Sequence, residues 1–187
     1  MKFPAAVCFA LFCSLPLTAS AQSSAVVKIH NGINMVDFTG QGEQDLVMSG
    51  HRENYNAHSF EVVSFYLPTQ GESGQATQWD IVPIMTKDGE KSQVNVSGGA
   101  DCVLHDFRLL SGHGKEAATL ILADRDLGAN FASAAKVTFT YYSLVHNVES
   151  TPGFPPYAFQ QSRVVSAKRT YCDVEESFDR ELGLGAR

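Results

Sequence analysis

Two cysteines constrain this chain more than any other feature. Four occur in the sequence, but Cys8 and Cys13 fall in an N-terminal stretch that reads as an export signal: Met1-Lys2, an apolar run over residues 4–17, and the small-x-small cleavage pattern Ala19-Ser20-Ala21. Cleavage after Ala21 leaves Cys102 and Cys172, for which a single intramolecular pairing exists. In an exported protein such a pair is most simply a structural disulfide. Closing a loop of about 70 residues stabilises the fold by roughly 4 kcal/mol, acting through the unfolded chain. A redox or metal-bound thiol is disfavoured, because no Cys-x-x-Cys occurs and the two cysteines lie far apart.

The apolar run of the signal is shorter than the ~20 residues a membrane-spanning helix needs, and no later stretch approaches that length. Cys13 follows Phe12 where lipid attachment needs a small residue, so no membrane or lipid anchor is expected. The reading is a cleaved signal over residues 1–21 and one domain over 22–187, enough for a sizeable core but hardly for two. The full chain carries a net charge of −6, and loss of Lys2 with the signal makes the exported chain one unit more negative. Nucleic acid and anionic surfaces are gripped by clustered Lys and Arg. No such run occurs, so neither is expected as a partner.

The pattern along the chain is β. Val137, Phe139, Tyr141, Ser143 and Val145 alternate with Thr138, Thr140, Tyr142 and Leu144 across residues 136–146, the period of a strand. Residues 58–67 carry apolar side chains on both faces, as in a strand at the middle of a sheet. Residues 79–84, 92–96, 117–123 and 158–172 read as further strands, with Pro83 at an edge or bulge. Asn31-Gly32 between apolar segments 25–29 and 33–38 predicts a hairpin. Residues 37–45 make a glycine-rich acidic loop whose alternate oxygen-bearing positions resemble a calcium loop. Thr39 and Gln41 stand where carboxylates would be needed, so a plain hairpin turn is favoured. One helix follows Cys172: Asp173 caps it with Glu176 three residues on, Val174, Phe178 and Leu182 share a face, and Gly183 stops it. The predicted fold is mainly β, an antiparallel sandwich-like single domain with a short C-terminal helix.

The densest chemistry lies in residues 98–108, which combine a glycine turn, Asp101, Cys102, His105 and Asp106. With His58, and with Asp124 and Asp126 at the end of an apolar strand, this makes a candidate polar corner. Imidazole and carboxylate together suit zinc or nickel; the metal set would be His58, Asp101, His105 and Asp124, and a divalent metal is the one cofactor considered. Without metal, His58, Asp101 and His105 remain as a ligand-binding set. Strand geometry sends His105 and Asp106 to opposite faces, so at most one joins Asp101. Asp124 and Asp126 share a face, yet in a turn they would simply satisfy backbone amides.

Catalytic residues are not assigned. Ser133-Ala134-Ala135-Lys136 has the Ser-x-x-Lys spacing of penicillin-recognising enzymes, but that chemistry needs the motif at the start of a helix and Lys136 runs straight into a β stretch. Ser-Asp-Asn, Lys-Thr-Gly, Gly-x-Ser-x-Gly and His-x-His-x-Asp-His are all missing. The aromatics Tyr55, Trp79, Phe154, Tyr157 and Phe159 read as closing the ends of the core in preference to lining a cleft.

Four stretches in this order carry a family likeness: Val36-Asp37-Phe38 leading into the glycine-acid loop, Asn56-Ala57-His58-Ser59-Phe60, Gly98-Gly99-Ala100-Asp101-Cys102, and Tyr171-Cys172. Through them the chain resembles the periplasmic carbapenem self-resistance proteins, the CarG-type family, over nearly all of the exported domain. The resemblance implies a periplasmic, mainly β protein that protects against carbapenems without being a β-lactamase, by binding drug or shielding its target. Thr39 and Gln41 depart from the richer acidic loop of that pattern. The leading expectation is therefore a non-enzymatic periplasmic resistance protein using His58, Asp101 and His105. The alternatives are a metal-dependent periplasmic hydrolase at the same corner, or an envelope protein-interaction module. A small β-lactam or an envelope protein is the expected partner, and self-association stays open.

Overall fold

The computed structural model of the chain describes residues 25–56, 58–69, 78–97, 101–112 and 116–187. The stretch read as an export signal, Gly98-Gly99-Ala100 and the segment containing Gly71 and Gly74 lie outside the described residues. Two sheets face each other. One holds β1 (Gly32–Val36), β2 (Asp45–Arg52), β3 (Phe60–Thr69) and β4 (Gln78–Ile81) in that order, with β7 (Val94–Ser97) on the same edge of β3 as β4. The other holds β5 (Ile84–Thr86), β6 (Gly89–Lys91), β8 (His105–Leu110), β9 (Thr119–Arg125), β10 (Ala135–His146) and β11 (Tyr157–Tyr171), ordered β6-β5-β11-β10-β9-β8. Every pairing is antiparallel except β5 with β11. The predicted sandwich with one C-terminal helix is the fold observed. Among the described residues no helix is long and apolar enough to cross a membrane.

The chain changes sheet between β4 and β5, at Val82-Pro83. Val82 donates its N–H to the Phe65 carbonyl at 2.8 Å, and the Pro83 carbonyl accepts the Phe159 N–H at 2.8 Å. A proline fits there because the switch point needs an acceptor and no donor. What reads as one strand over residues 79–84 is therefore two, in different sheets. Asn31-Gly32 also differs from expectation. Residues 25–27 run beside β8, with Val27 N–H on the Leu109 carbonyl and Val26 bridged to Leu110. Gly32, at φ 102°, instead starts β1 in the opposite sheet. The first hairpin is β1–β2, and its turn is the acidic loop.

Side-chain alternation builds the main core. Val63, Phe65 and Leu67 of β3 point inward to meet Phe107, Leu109, Leu120, Tyr142, Leu144 and Phe159 of the other sheet. Four phenylalanines, Phe38, Phe65, Phe107 and Phe159, pack edge to face at 5.3–6.1 Å between centroids, each pair adding about 0.5–1.5 kcal/mol beyond area burial. A second, smaller core lies on the outer face of the six-stranded sheet. There Ile121, Ala123, Val137, Phe139 and Tyr141 meet Val174 and Phe178 of α1 (Val174–Leu182).

The helix starts and stops where the sequence says, but its cap is spent elsewhere. Asp173 has extended backbone and its side chain caps nothing in the helix. Its Oδ1 accepts the Val103 N–H at 2.6 Å, while the Val103 carbonyl accepts the Val174 N–H at 3.1 Å. The Cys102–Cys172 disulfide, with Cα atoms 5.0 Å apart, brings those two backbones together. At the other end Gly183 is left-handed at φ 66°, and the N–H groups of Gly183 and Leu184 return to the Asp179 and Phe178 carbonyls.

Candidate functional site

Two polar hinges and one loop define a cavity with largely apolar walls. His58 precedes β3, where its N–H donates to Asn56 Oδ1 at 2.8 Å and its carbonyl accepts from Asn54 Nδ2 at 2.7 Å. Asp101 and Leu104 precede β8, whose entry is pinned by the disulfide and the Asp173 contact, and His105 is the first residue of that strand. The loop after β9 contributes Phe131. It is held by buried Arg125, whose guanidinium donates to the Ser133 carbonyl and, at 2.8 Å, to the Phe131 carbonyl. The resulting cavity is about 530 Å³, walled by Phe60, Leu104 and Phe131, with His58, Asp101 and His105 among its lining residues. Small-molecule sites are commonly roughly 300–1,000 Å³, mostly apolar with a few placed polar groups.

His105 is oriented by its neighbour in the ladder. It stands opposite Asp124 of β9, and its Nδ1 lies 2.7 Å from Asp124 Oδ1. A carboxylate can only accept, so Nδ1 carries the proton; Nε2 then accepts when the ring is neutral and donates when it is protonated. The contact commits one Asp124 oxygen to His105 and leaves Nε2 as the uncommitted ring nitrogen. Asp124 borders a neighbouring groove and not the His58 cavity, and among the described residues no three His, Cys, Asp or Glu side chains are arranged to hold a metal ion. His58, Asp101, His105 and Asp124 do not converge as ligands.

The acidic loop works as a turn. Asp37 accepts the Gly40 and Gly42 N–H groups at 2.7 Å each. Burial tends to raise its pKa, but these backbone donors outweigh that effect and hold it below the usual value. Asp45 is different. It is fully buried, its Oδ2 accepts the Phe38 N–H at 2.6 Å, and its Oδ1 has no partner. Burial, with Glu43 and Asp37 adding repulsion, pushes its pKa up to about 6.

Residues 29–180 match the family model described as carbapenem resistance protein CarG-like. The chain belongs to this CarG-like family. A solved structure, the crystal structure of CarG, aligns at a TM-score of 0.68 and 23% identity, covering 87% of this chain and 99% of that one. At that identity the likeness is one of fold. A search of curated proteins finds no match.

Sequence reasoning named Asp106 but missed the buried ion cluster that it forms in this CarG-like chain. Asp106 and Arg108, two apart on one face of β8, are both almost fully buried. Arg108 Nη1 donates to Asp106 Oδ2 at 2.5 Å, Arg108 Nε donates to the Gly185 carbonyl at 2.7 Å, and the guanidinium lies 4.3 Å from the centre of the Phe178 ring. Arg187 joins them, with Nε to Asp106 Oδ1 and Nη2 to Glu61 Oε2, both at 2.8 Å. Burial opposes the Arg187 charge, but Asp106 and Glu61 more than offset it and raise its pKa. Because Glu61 belongs to β3 and Asp106 to β8, the cluster ties the two sheets to the tail that follows α1. The i, i+2 spacing of opposite charges in an apolar strand was the available signal.

The remaining candidates do not assemble. Ser133 Oγ donates to Asn130 Oδ1 at 2.8 Å in a loop and Lys136 sits in β10, so the Ser-x-x-Lys spacing has no helical geometry. Of the five aromatics, Phe159 is core and Tyr157 packs against it while stacking on His146 at 4.4 Å. Tyr55, Trp79 and Phe154 are exposed, and so close neither core nor a common cleft.

Proposed function

We propose that this CarG-like chain is a non-enzymatic periplasmic protein that protects against carbapenems by holding the drug, or by shielding its target, at the cavity shared by His58, Asp101 and His105. The single observation that carries the reading is that cavity: residues separated by more than forty positions line one space of about 530 Å³ with apolar walls. A carbapenem is a compact bicycle bearing a carboxylate and a lactam carbonyl, both acceptors. Imidazole N–H groups can meet them, Phe60, Leu104 and Phe131 can cover the ring system, and Asp101 can accept from hydroxyl or ammonium substituents. Ser133, the serine of the Ser-x-x-Lys spacing, does not line the cavity and already donates its hydroxyl to Asn130, so that motif supplies no nucleophile to the site.

The test joins calorimetry to susceptibility. The exported chain is titrated with imipenem and expressed in the periplasm of a carbapenem-sensitive strain; binding and a raised inhibitory concentration are expected. His105→Ala and His58→Ala should each weaken binding by about tenfold, the worth of one hydrogen bond to a charged group. Unchanged susceptibility together with no heat of binding overturns the reading. Disappearance of the lactam absorbance that a chelator blocks would mark a metal-dependent hydrolase instead, and one stoichiometric protein partner without drug binding would mark an interaction module.

A further inference from the structure

We infer that the open end of the inner face of the six-stranded sheet is a second binding site, one that takes an extended peptide segment carrying a basic side chain. The inference does not rest on drug binding in the His58 cavity. Three cavities run together along this side of the molecule. The His58 cavity shares Asn95 and His105 with the groove beside it, and that groove shares Lys91, Leu122 and Asp124 with a third of about 470 Å³. The trough crosses β8, β9, β10 and β11. Three strand spacings make roughly 15 Å, which with the cavity at one end accommodates about five or six extended residues.

Its far end is built for a cation held among hydroxyls and amides. Asp88, Asp124 and Asp126 line it against two lysines, Lys87 and Lys91. Tyr142 is only 4% exposed, yet it lines the same groove and its hydroxyl has no hydrogen-bond partner among the described residues. Burial, with Asp124 and Asp88 close by, raises the phenol pKa, so it remains an O–H able to serve a ligand. Two further observations favour peptide over glycan. No exposed aromatic face is present on the described lining to stack a sugar ring, while Thr138, Thr140 and Gln161 offer hydroxyl and amide groups that either ligand could use. Beyond Gln160, where pairing with β5 ends, β11 has no strand partner on that side among the described residues, leaving backbone donors and acceptors beside the groove.

The probe is an acetylated, amidated hexapeptide, Phe-Thr-Gly-Thr-Gly-Lys, added at up to millimolar concentration to the isotopically labelled exported chain and followed by amide chemical shifts. Shifts are expected at Thr138, Thr140, Gln161 and Val164. Replacing the peptide lysine by norleucine, or changing Asp124→Asn and Asp126→Asn together, should each weaken binding by about five- to tenfold, and the two changes combined should cost little more than either alone. Far-UV circular dichroism and Tm confirm that the variant is folded. Shifts confined to other surfaces, equal binding of the norleucine peptide, no shifts at all, or shifts produced by chitotetraose and not by the peptide would each overturn the inference. A carbapenem titration on the same samples separates the two readings: drug binding with a silent trough removes only this one, and the reverse removes only the other.

Discussion

Asp45→Asn offers the sharpest check on the electrostatics of this fold, because the expected effect has a sign, a size and a pH window. Asp45 is fully buried, with one oxygen on the Phe38 N–H and the other unpartnered. Its pKa rises from 3.8 in the free side chain to about 6 in the folded protein. The folded state thus holds the proton more tightly than the unfolded state. That preference stabilises the fold below the unfolded pKa and is lost as pH climbs from about 4 to about 6. At roughly 1.4 kcal/mol per unit, a shift of about two units makes wild type lose about 3 kcal/mol over that window relative to a variant with no titrating group. Asparagine keeps the acceptor for Phe38 but puts an amide donor where the lone oxygen was, an offset of about 1–3 kcal/mol that does not depend on pH. The slope is therefore the readout, not the absolute difference. Urea unfolding of both proteins in chelator-containing buffer, followed by circular dichroism from pH 3.5 to pH 8, should show wild type falling relative to the variant until about pH 7 and running parallel above it. A difference that stays flat across the whole range would refute the claim that Asp45 is a desolvated, weakly compensated carboxyl.

Three further outcomes follow from contacts described above. Arg108→Met should destabilise by about 3 kcal/mol, the low end for breaking a buried ion pair, since Arg187 still reaches Asp106; Arg187→Ala should cost less, and chemical denaturation ranks the two. Gly112→Ala should cost about 1–3 kcal/mol through overpacking, because a Cβ there would lie 2.8 Å from the Glu116 carbonyl oxygen and the Gly40 nitrogen, both backbone atoms, so that main chain would have to shift. Replacing Cys102 and Cys172 together by serine should cost about 4 kcal/mol and lower Tm on the order of 10 °C, readable by scanning calorimetry; an unchanged Tm would mean the 70-residue loop is already closed in the unfolded chain.

Where local rules met no competitor, the sequence was sufficient. The position of α1 follows from short-range chemistry that tertiary contacts leave alone, and the Cys102–Cys172 pairing, though 70 residues apart, from being the one pairing open to the two cysteines beyond residues 1–21. Where a residue had two uses, sequence showed only the nearer one. Asp173 could cap its helix or bind Val103, and the disulfide decided for Val103. Asn31-Gly32 could close a hairpin or mark a change of sheet, and the partner that decided it, β8, lies some eighty residues away. Likewise the shared cavity of His58, Asp101 and His105 depends on the entries to β3 and β8 meeting, which no spacing in the chain encodes. That Asp124 would be spent on His105, not on a metal, follows only from the β8–β9 register.

The open trough has a cause in the phase of one strand. Along β10 the alternation looks uniform, as if Val137, Phe139, Tyr141, Ser143 and Val145 formed one buried face. In the fold the buried set changes sides midway. Val137, Phe139 and Tyr141 are buried under α1 on the outer face, whereas Tyr142 and Leu144 are buried against the opposite sheet and Val145 is 39% exposed. The change falls between Tyr141 and Tyr142, where the register with β11 slips. Each half of the strand is thus covered on only one side, and the inner face of the α1 half carries Thr138 and Thr140, with Asp124 following Leu120 and Leu122 along β9 and Asp126 just past its end. Polar side chains are tolerated there because nothing covers them, and they in turn keep the second sheet from closing over that end: burying Asp126 together with Asp124, which has only its contact to His105, would cost several kcal/mol. Asp124→Leu with Asp126→Leu should therefore favour covering of this end, read as slower amide exchange at Thr138 and Thr140. Unaltered exchange in a folded variant would show that backbone twist, and not side-chain polarity, holds the sandwich open.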